Sequence, residues 1–110
     1  MDVAAIRGAV APIAVKHGVE KISLFGSRAR GDNRHDSDYD FLISKGRVSS
    51  LWRLASFLED METALQSPVD ILTEGSPDQE LLDNARRDAV LVWETAHDGI
   101  PELSDYLKSI

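Results

Sequence analysis

Two short apolar runs on either side of a polar loop constrain the fold of this chain more than any other feature. Residues 22–25 and residues 38–43 each have the length and the β-rich composition of a strand. Because side chains alternate along a strand, Asp38 and Asp40 would share one face, about 6.5 to 7 Å apart along the backbone. The positions between and after them are apolar and would face a core: Tyr39, Phe41 and Ile43. The second strand is therefore predicted to be acidic on one face and buried on the other.

The loop between the two strands opens with a tight turn that suits phosphate. Gly26 lets the backbone come close to a ligand because it carries no Cβ. Ser27 is a natural N-cap for a short helix from Arg28 to Arg30, which Gly31 would end. Exposed N–H groups at a helix start favour an anion, and the serine hydroxyl and the two arginines can add hydrogen bonds. Phosphate beside two carboxylates that can bind Mg²⁺ is the arrangement expected at a site of nucleotide transfer.

The segment GSRARGDNRHDSDYDFLI, residues 26–43, resembles the signature of the polymerase-beta-type nucleotidyltransferase superfamily: Gly-Ser, a gap of ten residues, and Asp-x-Asp. It is most similar to the minimal nucleotidyltransferase branch. In that superfamily a third acid lies on the next strand, and Asp70 in the apolar run 69–72 holds the matching position. The resemblance extends over residues 22–94. It implies an α+β, polymerase-beta-like nucleotidyltransferase fold, with a small mixed sheet of about four strands flanked by helices.

The resemblance also implies a function. In the minimal branch the partner is typically a helical HEPN-domain toxin with ribonuclease activity, and the chain, as its antitoxin, would move AMP from ATP onto a toxin tyrosine. Asp38 and Asp40 would hold the nucleotide-bound ion of a two-metal Mg²⁺ site. Asp70 would help to hold the second ion and would accept the proton of the incoming hydroxyl. The residues implied to bind the nucleotide phosphates are Gly26, Ser27, Arg28 and Arg30.

The residues by themselves leave other interpretations open. Gly26-Ser27 can be an ordinary turn, and the acids can form the solvated face of an edge strand. Two further functions remain as alternatives to the enzyme that modifies its toxin. One is a binding-only antitoxin that masks the toxin without catalysis. The other is a stand-alone enzyme that transfers a nucleotide to a small hydroxylated molecule such as an aminoglycoside.

Composition sets the outer limits of these hypotheses. The chain has 110 residues, 43% of them hydrophobic, which suits one compact globular domain. Together with the resemblance, this implies a single minimal nucleotidyltransferase domain over residues 1–110. It has no cysteine, which excludes disulfides and thiolate metal sites. Its net charge of −7 argues against general nucleic-acid binding. We expect a cytoplasmic protein, because no apolar run is long enough to span a membrane and the N-terminus lacks a signal-peptide pattern.

The remaining segments predict alternating helices and strands. A first helix begins after Asp2 and ends at Gly18, and a second follows the turn at residues 46–50 and stops at Ser67-Pro68. Ser76 is expected to cap a third major helix, with Pro77 in its first turn, which continues to about Arg87. Residues 89–93 are expected to form a fourth strand, with a buried helical segment as the alternative, and Trp93 is expected to pack against the core. The tail, residues 96–110, is expected to pack locally or to contact a partner.

Overall fold

The structure is a computed structural model and describes residues 3–46 and 50–95. Within these ranges helices and strands alternate along the chain. In chain order the elements are α1 (Val3–His17), β1 (Lys21–Phe25), α2 (Gly26–Arg30), β2 (Tyr39–Ser44), α3 (Leu51–Leu65), β3 (Val69–Thr73), α4 (Gln79–Asp88) and β4 (Val90–Glu94).

The four strands form one mixed sheet in the order β3-β2-β1-β4. β1 lies in the middle and pairs antiparallel with both β2 and β4. β2 and β3 run parallel, joined by the crossover through α3, as a parallel pair requires. The predicted α+β fold, with a small mixed sheet flanked by helices, is confirmed.

One face of the sheet carries the main hydrophobic core, beneath α1 and α3. The helices contribute buried side chains at helical spacing, and the strands contribute alternate residues, as the sequence pattern predicts. Trp93 packs against this core, also as predicted. The buried core residues are Ile6, Val10, Ala14, Val19, Ile22, Leu24, Tyr39, Phe41, Ile43, Phe57, Met61, Leu65, Val69 and Val92.

The opposite face of the sheet is only partly covered, by the shorter helices α2 and α4. Leu42 lies against Leu82 and Ala85 of α4 in a second, smaller apolar cluster. Phe25 and Leu72 border this cluster. Polar side chains of β2 and β3 that share this face can therefore reach solvent.

The structure corrects two predicted helix caps and one strand boundary. Asp78, not Ser76, caps α4, because its Oδ1 accepts the backbone N–H of Leu81 at 3.0 Å. Pro77 therefore precedes the helix, and the Ser76 hydroxyl accepts the N–H of Asp78 at 3.2 Å. β2 begins at Tyr39, whose N–H donates to the carbonyl of Pro68, so Asp38 lies just before the strand. The other incorrect cap is the one predicted at Ser27, because Phe25 is the N-cap of α2.

Three predictions concern residues outside the described ranges. They are the cap at Asp2, the contribution of residues 47–49 to the turn before α3, and the role of the tail 96–110. In the part of the chain that the structure describes, no helix combines the length and the apolar composition needed to cross a bilayer.

Candidate active site

Two carboxylates meet on the open face of the sheet because of the parallel register. Asp40 of β2 lies directly opposite Asp70 of β3. Tyr39 and Phe41, the neighbours of Asp40, are buried on the helix-packed face, so strand alternation directs Asp40 to the other face. Because the two residues are register partners on parallel strands, their side chains project from the same face of the sheet. Asp40 is half-buried and Asp70 is exposed.

The surroundings of Asp40 disfavour its negative charge. Burial raises the pKa of the Asp40 carboxyl, and the charges of Asp70 and Asp38 raise it further. The Arg30 guanidinium opposes these effects and lowers the same pKa. Like charges held this close are unfavourable unless a proton or a cation lies among them. A divalent cation would relieve this repulsion.

Asp38 lies near Asp40 and Asp70 but does not form a set of three metal ligands with them. Its charge acts on Asp40, while its own side chain is exposed. Among residues 3–46 and 50–95, no group of three or more His, Cys, Asp and Glu side chains is spaced to hold a metal ion. The structure therefore brings Asp40 and Asp70 together, with Asp38 at the margin. The donor set is carboxylate oxygen throughout, which suits Mg²⁺, an ion that usually keeps water and substrate phosphates as its other ligands.

The backbone at Gly26 approaches the carboxylate of Asp40 closely. Gly26 has a φ of +75°, in the left-handed region, and an added Cβ would overlap Asp40 Oδ2 and lie 3.2 Å from its Cγ. The same glycine is the first residue of α2, whose N-cap is Phe25. The predicted cap at Ser27 is therefore wrong, because the helix begins one residue before it. Gly31 ends the helix with a φ of +82°, as predicted, and its N–H donates to the carbonyl of Ser27.

Arg30 lies beside the acids with its guanidinium shared between two partners. Its Nε donates to Asp32 at 3.1 Å, and its Nη1 donates to Asp88 at the end of α4 at 2.8 Å. Hydrogen bonds to Asp32 and Asp88 raise the pKa of Arg30. Both ion pairs are partly exposed, so their exchange for a phosphate group is energetically easy.

Arg28 contacts the loop that precedes β2. Its Nε and Nη2 both donate to the carbonyl of Ser37, at 3.0 and 2.6 Å, and Nη2 also reaches the carbonyl of His35 at 3.3 Å. The guanidinium carbon lies 4.0 Å from the centre of the Tyr39 ring. Sequence reasoning missed these contacts, and the only signal in the sequence is the aromatic residue between the two acids of the Asp-x-Asp motif.

A groove of about 280 Å³ borders Asp70. It lies between α3 and the edge strand, and its lining is mostly apolar. The lining residues are Leu51, Leu54, Ala55, Leu58, Val69, Asp70 and Ile71. An apolar surface thus adjoins Asp70, which the sequence pattern did not predict.

Known proteins resemble this chain over most of its length. The family described as polymerase beta, nucleotidyltransferase, matches residues 9–98. A protein of Methanocaldococcus jannaschii, named as a candidate protein adenylyltransferase, is 37% identical over 90 residues, which are 82% of this chain and 97% of the relative.

Two solved structures share the fold. The structure of a candidate minimal nucleotidyltransferase is 33% identical, with a TM-score of 0.69, and the match covers 82% of this chain and 95% of the other. In a Shewanella oneidensis complex, described as a tri-AMPylated HEPN toxin with its MNT antitoxin, the matching chain has a TM-score of 0.65 and 17% identity. That match covers 97% of this chain and 88% of the other, and at this identity it shows the fold alone.

Proposed function

Because this chain belongs to the polymerase beta nucleotidyltransferase family, we propose that it is a Mg²⁺-dependent protein adenylyltransferase that acts as an antitoxin. It transfers AMP from ATP to a tyrosine of a cognate HEPN-domain ribonuclease toxin. The modification silences the toxin. The reaction uses ATP and an intracellular toxin, so we assign the protein to the cytoplasm.

The observation that carries the proposal is the register of β2 and β3. It sets Asp40 beside Asp70, and the left-handed turn at Gly26 meets the carboxylate of Asp40. Two acids and a turn without a Cβ are thus concentrated at one edge of the open face. The M. jannaschii relative, named as a candidate protein adenylyltransferase, supports the reaction. The class of acceptor rests on the resemblance of residues 26–43 to the minimal nucleotidyltransferase branch.

In the proposed reaction the acceptor oxygen forms a bond to the α-phosphorus of ATP, and the bond from that phosphorus to the bridging oxygen of pyrophosphate breaks. Asp38 and Asp40 would hold the nucleotide-bound Mg²⁺, and Asp70 would help to hold a second ion. When bound, Mg²⁺ offsets the charge of the triphosphate and of the departing pyrophosphate.

The other roles belong to the side chains and backbone of the chain itself. Asp70 accepts the proton of the tyrosine hydroxyl. The Gly26 backbone and the Ser27 hydroxyl orient the β- and γ-phosphates, and Arg30 turns from Asp32 and Asp88 towards them. The contribution of the protein is mainly positioning and electrostatic stabilisation.

The test is transfer of label from α-labelled ATP in the presence of Mg²⁺ to the product of the neighbouring reading frame. We expect label on a tyrosine of that product, located by mass spectrometry. Asp40→Asn removes one carboxylate of the pair and should abolish labelling. Asp83→Asn is the matched control, because Asp83 is an exposed acid on α4, outside the site.

Two outcomes would replace the proposal. If Asp40→Asn still protects cells from the toxin as well as the wild-type chain does, the antitoxin works by binding alone. If label appears on an aminoglycoside without any protein partner, the acceptor is a small molecule. Label on neither would count against the enzyme itself.

A further inference from the structure

Arg28 contacts the residues on both sides of Asp38. The carbonyl of Ser37, which precedes Asp38, accepts from two guanidinium nitrogens, and the guanidinium carbon lies 4.0 Å from the ring centre of Tyr39, which follows Asp38. The third contact, to the carbonyl of His35, is three residues before Asp38. One side chain of α2 therefore holds the end of the loop at the point where it enters β2.

We propose that Arg28 is a positioning residue that fixes Asp38 for metal binding, and not a ligand of the nucleotide phosphates as the sequence predicts. The inference rests on the proposed function, because it assigns Arg28 to the same site. A guanidinium binds phosphate most strongly through two N–H groups on one edge. The partners of Arg30 are partly exposed carboxylate side chains, which can move away, whereas the partners of Arg28 are backbone carbonyls of the loop before β2. In Arg28 both Nε and Nη2 already donate to backbone carbonyls.

The contact with Tyr39 connects this arrangement to the core. Tyr39 is 4% exposed, and its ring is parallel to that of Phe41, with a centroid distance of 6.0 Å. Phe41 is fully buried. The Arg28 guanidinium thus lies against a ring that core packing holds in place. Its hydrogen bonds therefore restrict the position of the Ser37 carbonyl.

The loop is also closed on itself just before Asp38. The N–H of Ser37 donates to the carbonyl of Arg34 at 3.1 Å, and the hydroxyl of Ser37 accepts the N–H of Arg34 at 2.8 Å. Arg28 therefore docks a preformed turn and does not have to order a long flexible segment. Because Asp38 is exposed, the position of this turn decides how far its carboxylate lies from Asp40.

Arg28→Lys and Arg28→Gln separate a positioning role from a phosphate contact. Lysine keeps the positive charge but lacks the planar fork that bonds two carbonyls while stacking on a ring. If Arg28 bound phosphate through its charge, lysine would retain much of the function. If Arg28 positions the loop, both variants should need more Mg²⁺, about tenfold more for half-maximal transfer, as for the loss of residues that orient metal ligands. Arg87→Gln is the matched control, because Arg87 is an exposed arginine of α4.

Two readouts do not depend on transfer. ATP affinity measured by calorimetry in EDTA should match that of the wild-type chain in both variants, since no phosphate contact is removed. Hydrogen exchange should become faster at the amides of Arg34 and Ser37 in both variants and stay unchanged in Arg87→Gln. Thermal unfolding verifies that each variant is folded, and Arg28→Lys carries the test if Arg28→Gln is not.

The inference and the proposed function fail in different ways. If the wild-type chain transfers no AMP, the proposed function falls, and the exchange of the loop amides still tests the contact. If the wild-type chain is active but the variants lose ATP affinity in EDTA with an unchanged Mg²⁺ requirement, Arg28 is a phosphate ligand. Unchanged loop exchange in both variants would likewise overturn the positioning role.

Discussion

Replacing Gly26 with alanine tests whether the turn and the acidic pair form one site. Two separate effects are expected. A Cβ at a φ of +75° strains the backbone, and the same Cβ would overlap Oδ2 of Asp40. Gly31→Ala is the matched control, since Gly31 has a φ of +82° but open space around the position of its Cβ. The two variants share the strain, and only Gly26→Ala displaces the carboxylate.

The magnitudes follow from this comparison. A non-glycine residue in the left-handed region costs about 1–2 kcal/mol. For a chain of this size that lowers the melting temperature by roughly 4–15 °C, and we expect this loss in both variants. The carboxylate of Asp40 can move only by rotating away from Gly26, because its Cγ and Cβ lie 3.2 and 3.4 Å from the added atom. A misplacement of about 1 Å at a reacting centre lowers the rate about 10²-fold, so this loss should appear in Gly26→Ala alone.

Thermal unfolding and the labelling assay, run on both variants at the same temperature, measure the two effects separately. Equal losses of stability with a rate loss restricted to Gly26→Ala would support the reasoning. A Gly26→Ala chain that transfers AMP at the wild-type rate would refute it, because the turn would then tolerate a Cβ without moving Asp40. Equal rate losses in both variants would show that backbone strain, and not the overlap, is responsible.

Three further results are expected from the same structure. Asp40→Asn should melt at a higher temperature than the wild-type chain at neutral pH without metal, because the mutation removes a charge that the site disfavours. Because the folded-state pKa of Asp40 is raised, its stabilising contribution is full below about pH 3.9 and is lost as the pH rises through the folded pKa, so the difference should shrink in acid. Asp60→Asn should behave in the opposite way: hydrogen bonds from His17 and Lys16 lower the pKa of Asp60, so its contribution is present above about pH 3.9 and is lost as the pH falls through the folded pKa. Asp78→Ala removes the cap of α4 and should lower stability by about 1 kcal/mol in chemical denaturation.

The strands and the acidic pair could be predicted because few arrangements satisfy the sequence. A strand with acids on one face and Tyr39 and Phe41 on the other has a single orientation against a core. The family resemblance adds Asp70 on the third strand, and its parallel pairing opposite Asp40 is visible only in the structure. The match to the polymerase beta nucleotidyltransferase family confirms the resemblance inferred from the motif.

The helix ends and the arginine contacts could not be predicted in the same way. Ser76 and Asp78 are both good caps, and the choice between them depends on which oxygen meets a free N–H in the folded chain. Arg28 and Arg30 have the same chemistry and lie two residues apart, but one reaches the loop before β2 and the other reaches α4. The sequence also places Asp38 inside the strand, whereas the first ladder bond begins one residue later, at Tyr39.

Because the carboxylate pair depends on the parallel alignment of β2 and β3, transfer activity measures whether the chain has folded correctly. If β3 slipped by one residue, Asp70 would turn into the hydrophobic interior and Val69 or Ile71 would be exposed in its place. A molecule trapped in that misfolded state would lose the carboxylate pair together with part of its packing. The fraction of a refolded sample that can be titrated as active should therefore equal the fraction with native strand alignment.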